Sequence, residues 1–233
     1  NRDVDVDIYS DIPDESPHPF FAKHDGPPVT AKQYREYMSA MRGIPDPDVT
    51  YGEDDRLMLG NREFQPIWTP GHAPDHYCFW CEESKVLIAG DHLLKDFPPI
   101  VPRFVDVDEN PLKDYFHSLN KIKNLPAELV VAGHGEPFTD LKKRVEKTEE
   151  HHRLRMDQMI DLLRKSCKTA GQISRDIYGS KSEGFQKMME VASVIARLTF
   201  LESEGKAQSC MQNGKIYYSP VVGTREARPQ TVS

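Results

Sequence analysis

The chain has 233 residues, 38 % of them apolar and 29 % charged, with a formal net charge of −7. That composition fits a globular protein, and no run approaches the ~20 apolar residues of a membrane helix. The charge is uneven: residues 165–233 carry 10 Lys and Arg against 6 Asp and Glu, while 1–164 carry 20 against 31. A mildly basic tail on an acidic body falls short of the strongly basic footprint of a nucleic-acid binder. The four cysteines, Cys78, Cys81, Cys167 and Cys210, are scattered, and no second CxxC joins Cys78 and Cys81 to make a zinc knuckle. Buried or half-buried thiols in a reducing, cytoplasmic compartment are the expectation. The chain begins Asn1-Arg2-Asp3, without an initiator Met or a signal-peptide pattern, as expected of a trimmed or processed product.

In chain order, residues 1–29 are rich in Asp and Pro and read as irregular loop, with His18 and His24 as exposed loop histidines beside Asp25. Thr30 is a plausible N-cap for a helix from Ala31 to Met41, with Tyr34, Tyr37, Met38 and Met41 on one face. This loop-rich segment with one helix is taken as 1–55. Arg56–Leu59 and Arg62–Trp68 read as a hairpin about Gly60-Asn61, and Tyr77–Trp80 and Lys85–Ala89 as a second. Leu93–Val107, with three prolines, is long enough for a rim or lid. Asn110-Pro111 opens a helix whose buried face is Leu112, Tyr115, Phe116, Leu119 and Ile122. A strand at Leu129–Ala132 follows. A helix from Thr139, as its cap, to about Lys165 has Leu154, Met159, Ile160, Leu162 and Leu163 at helical spacing in its second half. His151 and His152 lie on it and, as neighbours in a helix, do not face one point. They read as a solvated face or a packed interdomain contact.

Two helices, 169–178 and Gly184–Ser203, and a hairpin about Asn213-Gly214 form a winged-helix-like order over 166–220. The second helix offers Lys187 and Arg197 as basic outer residues against Glu190, Glu202 and Glu204. That favours a structural or dimerising unit over one that reads DNA. Residues 221–233 read as a disordered tail.

Three β runs end at a glycine followed by a metal-ligating side chain: Gly71-His72, Gly90-Asp91 and Gly133-His134. Glycine permits the sharp turn that lets the next side chain project from a sheet edge. Imidazole and carboxylate are usual ligands of zinc and related divalent ions, so His72, Asp91 and His134 are candidate metal ligands. Asp75 and His76 fit two roles equally: orienting a metal-bound imidazole, or capping the turn into the following strand.

Thr69-Pro70-Gly71-His72, Gly90-Asp91-His92 and Gly133-His134-Gly135 resemble the third, fourth and fifth motifs of the metallo-β-lactamase fold superfamily, over about Arg56 to Lys165. With the appended tail, the chain most resembles the β-lactamase-like-protein-2 branch. The resemblance implies an α/β, four-layer αββα sandwich, of which 56–165 would be the C-terminal half. It also implies a dinuclear site, usually zinc with iron or manganese as variants, in which His72 binds one metal, His134 the other and Asp91 bridges them. The implied reaction is attack of activated water on an ester, thioester or phosphodiester. Ribonucleases in that branch point to RNA, whereas the Pro- and Phe-rich lid suits a small acyl substrate, and β-lactam hydrolysis is a third reading. The family's His-x-His-x-Asp-His segment is absent, so the chain reads as a C-terminal fragment, inactive alone, with an exposed apolar sheet face that favours self-association. The alternative is a non-catalytic scaffold whose winged-helix module binds protein or nucleic acid.

Overall fold

A computed structural model describes residues 11–41, 49–104 and 109–221. The expected disordered tail (apart from Val221), the end of the lid at 105–107, and the side chains of Met38 and Met41 lie outside the described residues.

The N-terminal segment holds α1 (Pro19–Lys23) and α2 (Ala31–Met41). A five-stranded sheet follows, in the spatial order β1 (Leu57–Leu59), β2 (Arg62–Trp68), β3 (Tyr77–Cys81), β4 (Val86–Gly90) and β5 (Leu129–Ala132). The first four strands form an antiparallel meander. β5 joins β4 in parallel, through a crossover that contains α3 (Pro111–Ile122). Asn110 caps α3 as its side chain accepts from Lys113 N at 3.2 Å. α4 (Leu141–Lys165) is preceded by Asp140 in the left-handed region, with no side-chain cap bond, so Thr139 is not the capping residue. α5 (Ala170–Tyr178) begins with a complete capping box between Thr169 and Gln172. α6 (Gly184–Ser203) packs on α3, α4 and α5, and the hairpin β6 (Ala207–Gln212) and β7 (Lys215–Pro220) closes the chain.

The sheet has two apolar faces. Cys78, Trp80, Leu87 and Val130 are buried in one core with Tyr115, Leu119 and Ile122 of α3 and Val145 of α4. Each such side chain contributes roughly 1.5–3 kcal/mol. The opposite face carries Pro66, Phe79, Ile88 and Val131 side by side across four strands. Phe79, Ile88 and Val131 are only half-buried there, and Leu129 is exposed.

Several expectations are corrected. His18 and His24 are buried, at 1 % and 2 % exposure, not exposed in a loop. The fully buried pair Phe20 and Phe21 anchors α1, and it takes the flanking histidines inward with it. His18 stacks on Tyr34 at 4.1 Å, and His24 Nδ1 lies 3.3 Å from the Tyr218 hydroxyl. Beside them Asp25 accepts from Thr169 and Arg175 and pairs with Lys215, so the N-terminal segment is clasped to α5 and β7. Arg197 is buried rather than outward-facing, and Leu154 is exposed rather than packed. Cys78 and Cys81 are buried, but Cys167 and Cys210 are exposed; all four are free thiols. His152 is buried and His151 half-buried, which is the packed reading of that pair. Among the described residues, no helix is long and apolar enough to cross a membrane.

Candidate metal centre

The three glycine turns lie at neighbouring strand tips. Gly133 N donates to Gly90 O at 2.8 Å, which fixes the tip of β5 against that of β4. The tip after β2 is held by α3: Ser118 Oγ donates to Pro70 O and Lys121 Nζ to Trp68 O, both at 2.8 Å. α3 also holds the tip after β4, because the Tyr115 hydroxyl donates to His92 O at 2.8 Å. One helix face therefore positions two of the three turns.

All three glycines stand where a Cβ would run into a neighbour, Gly90 against His76 Nε2 at 2.7 Å. A Cβ at Gly71 would stand 2.5 Å from Tyr115 Cβ and 2.6 Å from its Cα, so this turn lies directly on the α3 backbone. A Cβ at Gly133 would stand 2.5 Å from Asp91 Oδ1. The Asp91 carboxylate thus leans over the site where any other residue would project.

His72, Asp91 and His134 converge. Asp91 Oδ2 lies 3.9 Å from His72 Nε2, and Asp91 Oδ1 lies 3.4 Å from His134 Nε2. His72 Nδ1 lies 2.7 Å from Ile100 O, and a carbonyl can only accept, so Nδ1 carries the proton. In the neutral ring, Nε2 is then a bare lone pair facing a carboxylate. The buried Asp91 Oδ1 has no hydrogen-bond partner among the described residues. Acceptors facing one another with nothing donated between them fit a cation. The separations are of the size taken by two donors of one ion with legs of about 2 Å. Among the described residues, however, no group of three His, Cys, Asp or Glu side chains is close enough to enclose an ion by itself. The donor chemistry suits a divalent metal, and the set is partial.

His76 and His92 lie behind these donors. His76 Nδ1 is 2.8 Å from the Thr69 hydroxyl, and Nε2 is 2.7 Å from the point where a Gly90 Cβ would stand. Burial, with His72 as a titratable neighbour, lowers its pKa to about 4. Burial, with His76 and His72, lowers that of His92 to about 3. Both rings are neutral near pH 7. Beneath them Thr69 donates toward Cys78 Sγ at 3.4 Å, and burial pushes the Cys78 thiol up to about 12, so it is no thiolate ligand. Of the two roles open to the 75–76 pair, Asp75 is exposed, and His76 is the residue built into the tip.

The hold of the rim on His72 is a feature the residue types do not signal. The segment after β4 provides Ile100 O, which orients His72, and is then fixed to α6. Arg103 N donates to Ala192 O at 3.2 Å, and Arg103 Nη1 to Thr199 Oγ1 at 3.0 Å. The C-terminal helices thereby set the geometry of a strand-tip histidine.

A mixed sheet with imidazole and carboxylate groups at its strand tips is the arrangement to be matched against known proteins. The profile of the Metallo-beta-lactamase superfamily matches residues 12–134, and the chain belongs to that superfamily. The match begins well before Arg56, where the motif resemblance starts. Among relatives, the "Probable metallo-hydrolase YqjP" of Bacillus subtilis is 32 % identical over 155 residues, covering 64 % of this chain and 48 % of that protein. The "Beta-lactamase-like protein 2 homolog" of Caenorhabditis elegans is 32 % identical over 113 residues, 48 % of this chain and 36 % of that one. The chain thus spans less than half the length of either relative. A metallo-beta-lactamase family protein of Thermus thermophilus superposes with a TM-score of 0.72 at 30 % identity, over 86 % of this chain and 62 % of that structure. A beta-lactamase domain protein of Burkholderia ambifaria does so at 0.74 and 24 % identity, over 86 % and 58 %, and supports the fold alone.

Proposed function

We propose that the chain supplies the C-terminal half of a metal-dependent hydrolase that directs activated water at an ester, thioester or phosphodiester. The observation that carries this is Asp91, held between His72 and His134 with a buried oxygen to which nothing donates among the described residues. In this reading His72, Asp91 and His134 are its metal ligands, Asp91 is the bridge, and the full site takes two zinc ions, with iron or manganese as substitutes. A divalent ion there supplies Lewis acidity, easing loss of a proton from water and polarising the scissile bond. The chain's own residues do the rest. Ile100 O keeps the His72 proton on Nδ1 so that Nε2 stays a donor. The neutral His76 and His92 add no competing charge, and the Pro- and Phe-containing rim borders the substrate, a small acyl compound or RNA.

Three protein ligands cannot complete two metal shells, so this chain alone is read as inactive. The half-covered sheet face of Phe79, Ile88 and Val131 is read as a surface for self-association. The helix–helix–hairpin unit is read as a winged-helix-like domain that braces the rim; with Arg197 buried, α6 lacks the basic outer face of a DNA reader. A cytoplasmic location completes the reading, in keeping with the exposed free thiols of Cys167 and Cys210.

The test is made on a longer protein that contains this chain, loaded with zinc or manganese and assayed on thioester and RNA substrates. Turnover that falls with metal content in His72→Ala and His134→Ala is expected. Full metal content and undiminished turnover in both variants would overturn the site.

A further inference from the structure

The two sheets end in the edge strands β1, β5, β6 and β7. A free strand edge is a row of unpaired N–H and C=O groups, a template for pairing with another chain. Among the described residues, every edge but β6 is blunted. β1 is three residues long and follows Arg56, which pairs with Glu63 at 3.6 Å. β5 is covered by Phe138: Val130 N donates to Phe138 O at 2.7 Å, and Phe138 N to Val130 O at 3.0 Å. β7 is covered in the same way by Lys168, whose N donates to Tyr218 O at 3.1 Å and whose O accepts from Tyr218 N at 2.9 Å. β6 pairs with β7 on one side, and no described segment pairs with its other side.

The register shows which groups β6 turns to that open side. Tyr218 exchanges its backbone bonds with Lys168, so they point away from Ser209, its partner in β6. Ser209 and Tyr218 are therefore a non-hydrogen-bonded pair, and the Ser209 N–H and C=O face the open edge. Alternation along the strand gives the backbone groups of Met211 the same direction. In agreement, Val221 N donates to Lys206 O at 3.0 Å, so the even-numbered positions are the ones that turn to β7.

Natural edges are blunted by charge, by proline or by brevity. β6 has none of these. Ala207–Gln212 reads AQSCMQ, without a charge or a proline, and every residue after Ala207 is exposed. Met211 is 60 % exposed.

The exposed run Gln208–Gln212 is centred on Cys210, and it is complementary to itself. Laid antiparallel on a second copy with Cys210 at the two-fold axis, Ser209 falls opposite Met211 of the partner subunit. These are the residues whose backbone groups face outward, so each such pair can exchange both of its N–H···O bonds. A slip by one residue would instead set outward groups against groups already bonded to β7. Gln208 falls opposite Gln212 of the partner subunit, and an amide both donates and accepts. Within the chain, Gln208 Nε2 donates to Ser219 Oγ at 3.4 Å and Gln212 Nε2 to Cys210 Sγ at 3.2 Å, which leaves both amide oxygens for the partner. No like charges meet across the axis.

We infer that β6 is a dimerisation edge, at which two copies of this chain join their C-terminal hairpins into one antiparallel sheet about a two-fold axis at Cys210. The contact is separate from the half-covered face of the five-stranded sheet, and it does not depend on the hydrolase reading.

Sedimentation velocity over a concentration series, with thiols kept reduced, tests it on the whole chain. A reversible dimer is expected. Cys210→Lys sets two ammonium groups opposite each other at the axis, and Cys210→Glu two carboxylates, so each should weaken the dimer about fivefold or more. An equimolar mixture of the two variants should restore it, because opposite charges then face each other. Ser209→Pro removes outward N–H groups without touching a bond to β7, and should weaken the dimer about tenfold or more. Cys210 is exposed, so the charge pair still tests the axis if Ser209→Pro fails to fold. A wild-type chain that stays monomeric up to about 1 mM would overturn the inference. So would a mixture that associates no better than either charged variant alone. A dimer that survives all these changes and is lost in Ile88→Asp would put the contact on the sheet face and overturn it as well.

Discussion

Glycines at the strand tips and glycines at the turns of the C-terminal unit do different work. At the tips they make room. Gly71 and Gly133 sit where a Cβ would run into Tyr115 or the Asp91 carboxylate, at 2.5 Å in each case. In the C-terminal unit, Gly205 and Gly214 have nothing within 4 Å of a built Cβ, and only their positive φ, 65° and 74°, asks for glycine. The tips are close-packed around a site, whereas the C-terminal turns only reverse the chain. A glycine whose missing side chain is occupied by something else therefore marks a close approach: at the tips that approach builds the site, and at Gly171, where a Cβ would stand 1.7 Å from Asp25 O, it builds the clasp.

The contrast is sharpest in an alanine pair. Gly71→Ala forces Cβ onto the α3 backbone and adds left-handed strain, so it is expected to cost about 3 kcal/mol or more. Gly205→Ala, with open space and the strain alone, is expected to cost about 1–2 kcal/mol. Thermal or urea unfolding of both reads the difference, and equal losses would break the comparison. Gly133→Ala tests the same idea at the site: it should displace Asp91 and lower zinc affinity about tenfold or more, the scale of damage seen when a ligand loses its support.

The tips are legible in the sequence because the signal is local. A β run, a glycine and a ligating residue stand in succession at His72, Asp91 and His134. The helices are legible from periodicity, and Thr30 caps α2 where its side chain says it should, accepting from Gln33 N at 3.2 Å. What stays hidden depends on distant partners. Arg197 follows Val194 by three and precedes Leu201 by four, so helical spacing puts it on the buried face; its charge argues for the outside, and spacing wins. The Pro- and Asp-rich start conceals α1, because burial of Phe20 and Phe21 depends on a core built from later elements. Ile100 acts through its carbonyl, which any residue would supply, so no residue type could disclose it.

Two smaller effects extend the comparison to the clasp and the rim. Asp25 is a counterpart of Asp91, a carboxylate whose partners are all present. Burial raises its pKa, but hydrogen bonds from Lys215, Arg175 and Thr169 outweigh this and hold it below the usual carboxylate value. Its stabilisation is therefore present above the unfolded pKa of about 4 and is lost as the pH falls through the lower folded value. Asp25→Asn should cost roughly 2 kcal/mol at pH 7, and the gap from wild type should close in acid. Urea unfolding from pH 7 to pH 3 measures it. Arg103→Ala removes one bond between the rim and α6, so about 1 kcal/mol of stability and a few-fold of zinc affinity are expected to go. Unchanged zinc affinity would detach the C-terminal unit from the site.

The most direct measurement is zinc titration, with elemental analysis, of this chain purified without chelators, beside its Asp91→Asn variant. The account predicts well under one equivalent retained on purification, weak saturable binding on titration, and loss of that binding in Asp91→Asn. Near two equivalents in the wild-type chain, or identical binding in the variant, would contradict it, because the ligands would then lie elsewhere than at these three tips.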